Sequence, residues 1–220
     1  MRKHFETFVR PERHASMEEI LAEARSTYRG HLEATVLQFR SPNTASEIDK
    51  LLGGESSTLM TAKACYDYAI HGKLKPAKTE SESEDLSHDW KSLANLILTA
   101  RYGIEFFSPS VEGESIGVPI YLEQLFFHAI LRANLDLDTL PDLDEDMLPS
   151  PLRGGNSGFL NLKEVAVLAQ MDEKSVRNAT QPSAPDRLHT RKAGTRTVVD
   201  SKEALRWLKN RRNFEPTTVA

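Results

Sequence analysis

The chain has 220 residues, 39% of them hydrophobic and 27% charged, with a formal net charge of −4. That length and apolar content support one or two folded domains and argue against both a disordered chain and a membrane protein. The mild total hides an asymmetry. Residues 1–156 hold 16 Lys or Arg against 25 Asp or Glu, a net of −9, whereas residues 157–214 hold 12 against 6, a net of +6. A basic segment on an acidic chain points to nucleic acid as a partner.

The single cysteine, Cys65, cannot close an internal disulfide, so nothing depends on an oxidising compartment. The opening MRKHFETFVRPERH is charged throughout and lacks the apolar centre of a secretory signal. No stretch approaches the roughly 18–20 apolar residues that cross a bilayer. A cytoplasmic protein with no membrane partner is expected.

In chain order, the first 135 residues read as helices with punctuation. Ser16 and Glu19 have capping-box spacing, and Ile20, Leu21, Ala24 and Tyr28 continue a helical stripe. Leu32, Val36 and Phe39 extend it past Gly30 until Ser41-Pro42 ends it. A short helix opens at Thr44 or Ser46 and stops at Gly53-Gly54. A third opens at Ser56 or Ser57, with Leu59, Met60, Ala64, Tyr68 and Ile70 inward and Gly72 as its stop. Lys73 to Glu84 lacks an apolar period and contains Pro76, which predicts a loop.

The spacing of Trp90, Leu93, Ala94, Leu96, Ile97 and Tyr102 predicts a helix from Ser87 to about Phe106, followed by a turn-rich connection from Ser108 to Pro119. Ile120 to Leu135 is the most apolar helix, with Leu122, Leu125, Phe126, Ala129, Ile130 and Leu131 covering more than one stripe. Such a helix must be buried in its own domain or against another subunit, so a homodimer through the N-terminal helices is expected. Residues 136–158 carry six Asp or Glu, three Pro and three Gly. They read as an acidic linker. Its carboxylates could fold back on the basic segment as a salt-screened competitor for DNA, although a solubilising spacer is the simpler reading.

Residues 159–214 read as helix, sharp turn, helix, hairpin, helix. Leu162, Val165, Ala166 and Ala169 lie at i, i+3, i+4 and i+7, with Asn161 as cap. Gln170-Met171-Asp172 interrupts; Met171 plugs the corner and Asp172 caps a second helix from Glu173 to about Thr180. Val176 and Ala179 face inward there, with Lys174, Ser175, Arg177 and Asn178 outward. Beyond Pro182 and Pro185, Ala193-Gly194 turns between β-prone runs containing Leu188 and Val198-Val199. Asp200 or Ser201 caps a last helix, Lys202 to Arg212, with Ala204, Leu205, Trp207 and Leu208 forming its core side.

The string LKEVAVLAQMDEKSVRN, followed by a basic hairpin and DSKEALRWLKNR, resembles the winged helix-turn-helix of MerR-type regulators and phage excisionases. The resemblance covers about a quarter of the chain, with Gln170 standing where the family often has Gly. It implies binding to double-stranded DNA by the second helix and the wing. The major groove admits one helix; Arg177 suits guanine, Asn178 suits adenine, and Lys174 and Ser175 reach a base edge or phosphate. Arg191, Lys192 and Arg196 on the wing would meet the backbone or an adjacent minor groove. Lys209, Arg211 and Arg212 carry less weight, since a helix C-terminus favours cations by itself.

Other signals fall away. Asp142, Asp144 and Asp146 match positions of a calcium loop, but Met147 and Arg153 occupy the places of its Gly and Glu. The seven His have no zinc spacing, and no phosphate-binding glycine loop or GxSxG is present. Arg25 and His31 loosely resemble the RNase motif of helical HEPN toxins. The expectation is a mainly α protein: a helical domain 1–135, a linker 136–158 and a winged helix-turn-helix 159–214 with a small β-hairpin. It would be a non-enzymatic, cofactor-free, sequence-specific DNA-binding regulator acting as a dimer. The alternatives are an excisionase-like bending protein, a toxin or enzyme domain targeted by the basic module, and a protein-interaction module.

Overall fold

A computed structural model describes residues 15–39, 44–107, 119–154 and 158–219. The fold is mainly α, with a small three-stranded antiparallel sheet. Helix α1 spans Met17–Phe39, α2 Ala45–Leu51, α3 Gly54–His71, α4 Glu80–Phe107 and α5 Ile120–Thr139. The Ser16 and Glu19 side chains cap α1 reciprocally, as their spacing predicts. The expected stop at Ser41-Pro42, the connection over 108–118 and the side chain of Tyr102 lie outside the described residues.

Helix α5 is the axis of the molecule. Every residue from Leu122 to Asp136 is buried, and α1, α3 and α4 pack around it. Its apolar surface is therefore covered within its own chain, so this helix is not the dimer face that its composition suggested. Residues from both expected domains, from Ile20 to Phe214, belong to one continuous hydrophobic core.

The stretch expected to be a linker is packed structure. It contains the last turn of α5 and two 3-10 turns, Glu145–Met147 and Ser150–Leu152, with Leu143, Leu148 and Leu152 buried in the common core. Of its carboxylates, Asp146 pairs with Arg153 at 3.1 Å, and Asp138 accepts a hydrogen bond from Ser201, which belongs to the basic segment. The acidic composition describes the outer surface of this segment, where Asp142, Asp144, Glu145 and Asp146 are exposed, whereas three irregularly spaced leucines, joined by the buried Pro149 and Pro151, hold it down.

Two further corrections concern α3 and its sequel. Met60 and Ala64 are exposed, while Ala62, Cys65 and Ala69 join Tyr68 in the core. The helix is turned so that its smallest residues meet α5, allowing close approach. The expected loop after Gly72 begins instead with a strand, β1 (Lys73–Leu74), and α4 starts as early as Glu80. Strand β1 pairs in parallel with Thr218–Val219 near the other end of the chain, which no local pattern could reveal.

That long-range pairing is fastened by a buried polar network. Arg132, fully buried on α5, donates from Nε to the Ala69 carbonyl at 2.9 Å and from Nη1 to the Glu215 carbonyl at 2.7 Å and Thr217 Oγ1 at 3.2 Å. Its guanidinium also lies 4.9 Å from the centroid of the Phe214 ring. Asp136, one helical turn on, accepts from the hydroxyls of Tyr68 at 2.9 Å and Thr217 at 2.7 Å. Burial lifts its carboxyl to about 6, against the opposing pull of Arg132 and the two hydroxyls.

Gly72 sits where this network leaves no room. Its φ is +63°, and an added Cβ would stand 2.8 Å from Arg132 Nη1, 2.8 Å from the Pro216 carbonyl oxygen and 2.9 Å from Thr217 Cα. Gly72→Ala combines left-handed strain with a backbone collision, and a loss of about 2–4 kcal/mol is expected in urea unfolding.

Glu23 on α1 accepts from the Leu122 amide at 2.6 Å, at the start of α5. Burial, reinforced by the nearby Glu123 charge, lifts its carboxyl from 4.5 to about 7. A carboxyl raised in the folded state contributes stability that is complete below its unfolded value and is lost as pH climbs through the folded one. Urea midpoints should therefore fall between pH 4.5 and 7, and Glu23→Gln should flatten that decline by on the order of 1–3 kcal/mol.

Candidate nucleic-acid interface

The basic segment folds as β2 (Phe159–Asn161), α6 (Leu162–Ala169), α7 (Glu173–Ala179), β3 (Arg191–Ala193), β4 (Arg196–Asp200) and α8 (Ser201–Leu208). Asn161 and Glu164 form a reciprocal cap at the start of α6, with bonds of 2.9 and 2.8 Å. The Gln170 and Met171 amides then donate back to the Val167 and Ala166 carbonyls, closing the helix. This closure sets Gln170 at a φ of 51°, in the left-handed region. Asp172 caps α7, accepting from the Ser175 amide at 2.8 Å and its hydroxyl at 2.7 Å. Those hydrogen bonds hold the Asp172 carboxyl below its ordinary range.

On α7, Val176 is fully buried, whereas Lys174, Arg177 and Asn178 are exposed. The last three lie at i, i+3 and i+4 and therefore share one face. Arg177, whose side chain is 64% exposed, pairs with Glu173 at 2.6 Å one turn back. An exposed pair of this kind contributes only about 0.3–0.5 kcal/mol, so a phosphate or base edge can displace Glu173 at little cost. The amide and hydroxyl of Ser175 both donate to the Asp172 carboxylate as part of the cap.

The sheet order is β2-β4-β3, with Leu160 opposite Val199 and Lys192 opposite Thr197. The turn between β3 and β4 is Gly194-Thr195, one residue later than expected, with Gly194 at a φ of +62°. Leu188 lies outside the strands. Its amide donates to the Ala179 carbonyl at 2.9 Å and its side chain is buried, pinning the Pro- and Ser-rich segment beneath α7. Arg191, Lys192 and Arg196 are all exposed on the hairpin. Arg191 lies 5.3 Å from the centroid of the Phe159 ring and Lys192 donates to Thr197 Oγ1 at 3.0 Å.

Helix α8 is shorter than expected, ending at Leu208. Two arginines on and just after it are used internally. Arg206 pairs with Glu203 and Asp186 at 2.8 Å each, and Arg211 pairs with Asp186 while its guanidinium lies over the Trp207 ring. The Trp207 indole donates to the Asp186 carbonyl at 3.0 Å. The neighbouring Arg206 and His189 keep the Glu203 carboxyl at about 2. Asp186 and Glu203 thus engage Arg206 and Arg211, while Lys202, Lys209 and Arg212 stay exposed alongside the cations of α7 and the hairpin.

The HEPN-like pair is not assembled as a site. Arg25 is engaged by Glu55 at 3.1 Å, and burial depresses the His31 imidazole. Among the described residues no cluster of His, Cys, Asp or Glu is arranged to hold a metal ion, and no helix is long and apolar enough to cross a membrane. No family model, curated protein or solved structure matches the chain.

Gln170→Gly should relieve the left-handed strain at the turn while giving up the Nε2 bond to the Asn213 carbonyl at 3.0 Å. A net gain of about 0.5–1 kcal/mol is expected in thermal or urea unfolding.

Proposed function

We propose that this protein is a sequence-specific binder of double-stranded DNA, a transcriptional regulator. In this reading residues 159–214 are a winged helix-turn-helix, with α7 in the major groove and the β3–β4 hairpin as wing. The observation that carries it is the division of α7, with Val176 buried and Lys174, Arg177 and Asn178 outward, in a segment whose hairpin carries three further exposed cations. A groove about 12 Å wide accepts one helix, and counterion release rewards each Lys or Arg set against a phosphate. Arg177 presents a planar fork to guanine O6 and N7, Asn178 a matching donor and acceptor to adenine, and Lys174 a point charge.

Helix α5, whose composition suggested dimerisation, is covered intramolecularly, so a dimer of this regulator would join through other surfaces. A palindromic target would require a second chain joined through some other surface.

The test is selection from a random duplex pool with the full chain, followed by salt titration of the selected sequence. Arg177→Ala should change preference at one base position and cost about 1–3 kcal/mol there. Arg191→Ala or Arg196→Ala should weaken all sequences alike and reduce the log–log salt slope by about 1. Failure of the full chain to retain any duplex at low salt would overturn the proposal.

A further inference from the structure

Beside α3 and α4 lies a cavity of about 470 Å³, within the usual range of about 300–1,000 Å³ for small-molecule sites. Its wall is apolar: Tyr68 from α3, Leu74 from β1, Leu86 and Trp90 from α4, and Leu152 from the second 3-10 turn. Four of these are at most 4% exposed and Leu86 is half-buried, so the surface is preformed and rigid. Trp90 is backed by Phe126 of α5, ring centroids 5.9 Å apart.

The rim has a different character. Lys63 comes from α3, and Lys73 and Lys75 flank Leu74 at alternate positions of the same extended segment. All three are exposed, and Asp67 is the one carboxylate among the lining residues. Three cations against one anion, around an apolar interior, select a ligand with a greasy body and a negative head. A doubly hydrophilic metabolite would leave the Trp90 and Leu152 surface unfilled, and a cationic amphiphile would meet the lysines.

We propose that this cavity binds an amphipathic monocarboxylate, with the hydrocarbon or aromatic body against Tyr68, Trp90 and Leu152 and the carboxylate at Lys63, Lys73 and Lys75. Because Tyr68 forms one wall and donates its hydroxyl to Asp136, the ligand would adjoin the network that fastens Thr217. The binding site stands on its own geometry and does not depend on the chain binding DNA.

Isothermal titration of the full chain with sodium decanoate, below its micelle concentration and at low salt, tests this. Saturable one-to-one binding is expected, accompanied by a change in tryptophan emission. The triple variant Lys63→Gln/Lys73→Gln/Lys75→Gln should keep the wild-type melting temperature and bind decanoate at least about tenfold more weakly. Decyltrimethylammonium, with the same tail and the opposite head, should give no saturable binding. Leu86→Trp, which fills the cavity from an incompletely buried position, should abolish decanoate binding with the circular dichroism spectrum retained. No saturation with decanoate, an unweakened triple variant, or equal binding of the cationic amphiphile would each overturn the proposal.

Discussion

The arrangement depends on a buried arginine. Taking the Arg132 guanidinium out of water costs several kcal/mol, and its burial depresses the pKa of the group. The cost is offset by backbone carbonyls on α3, the Glu215 carbonyl near the end of the fold, the Phe214 ring and Asp136 one turn away. These partners come from segments far apart in sequence that also meet through the common core and the β1 pairing. Once the charge is inside, each must be in place, because removing one partner from a buried ionic group costs about 3–5 kcal/mol. The network therefore specifies where the C-terminal segment lies, whatever its net contribution to stability.

Position follows from that constraint. Helices α6 and α8 pack on α5, and the segment after α8 returns to β1, so the basic face is mounted on the helical body at both ends of its own sequence. A module on a flexible tether would sample many orientations and carry the entropy of doing so. Here the hairpin and α7 hold one orientation relative to the acidic body. Under the proposed function, charge repulsion between that body and a duplex would act in a fixed direction and add to the alignment supplied by the basic residues.

Much of the basic segment was legible in the sequence because its determinants are local. Asn161 with Glu164, and Asp172 with Ser175, are caps separated by three residues; Val176 among polar neighbours declares its face. What escaped depended on distant partners. Lys73-Leu74 is too short to show a strand period, and its mate is Thr218-Val219. The packed segment after α5 looked like a linker because its surface chemistry outnumbers its three anchoring leucines. Arg132 and Asp136, four apart among apolar residues, were the available signal of a buried ionic pair, but what surrounds them comes from 62 to 85 residues away. Ser175, three residues after Asp172, belongs to the same local cap.

The same separation has a temporal side. Asp136 and Thr217 are 81 residues apart, an interval that takes on the order of 4–16 s to synthesise at about 5–20 residues per second. Throughout it, α1, α3 and α5 are present while the guanidinium between them lacks the carbonyl and hydroxyl that complete its coordination. The coordination of Arg132 and Asp136 can therefore be completed only after Glu215 and Thr217 have been made.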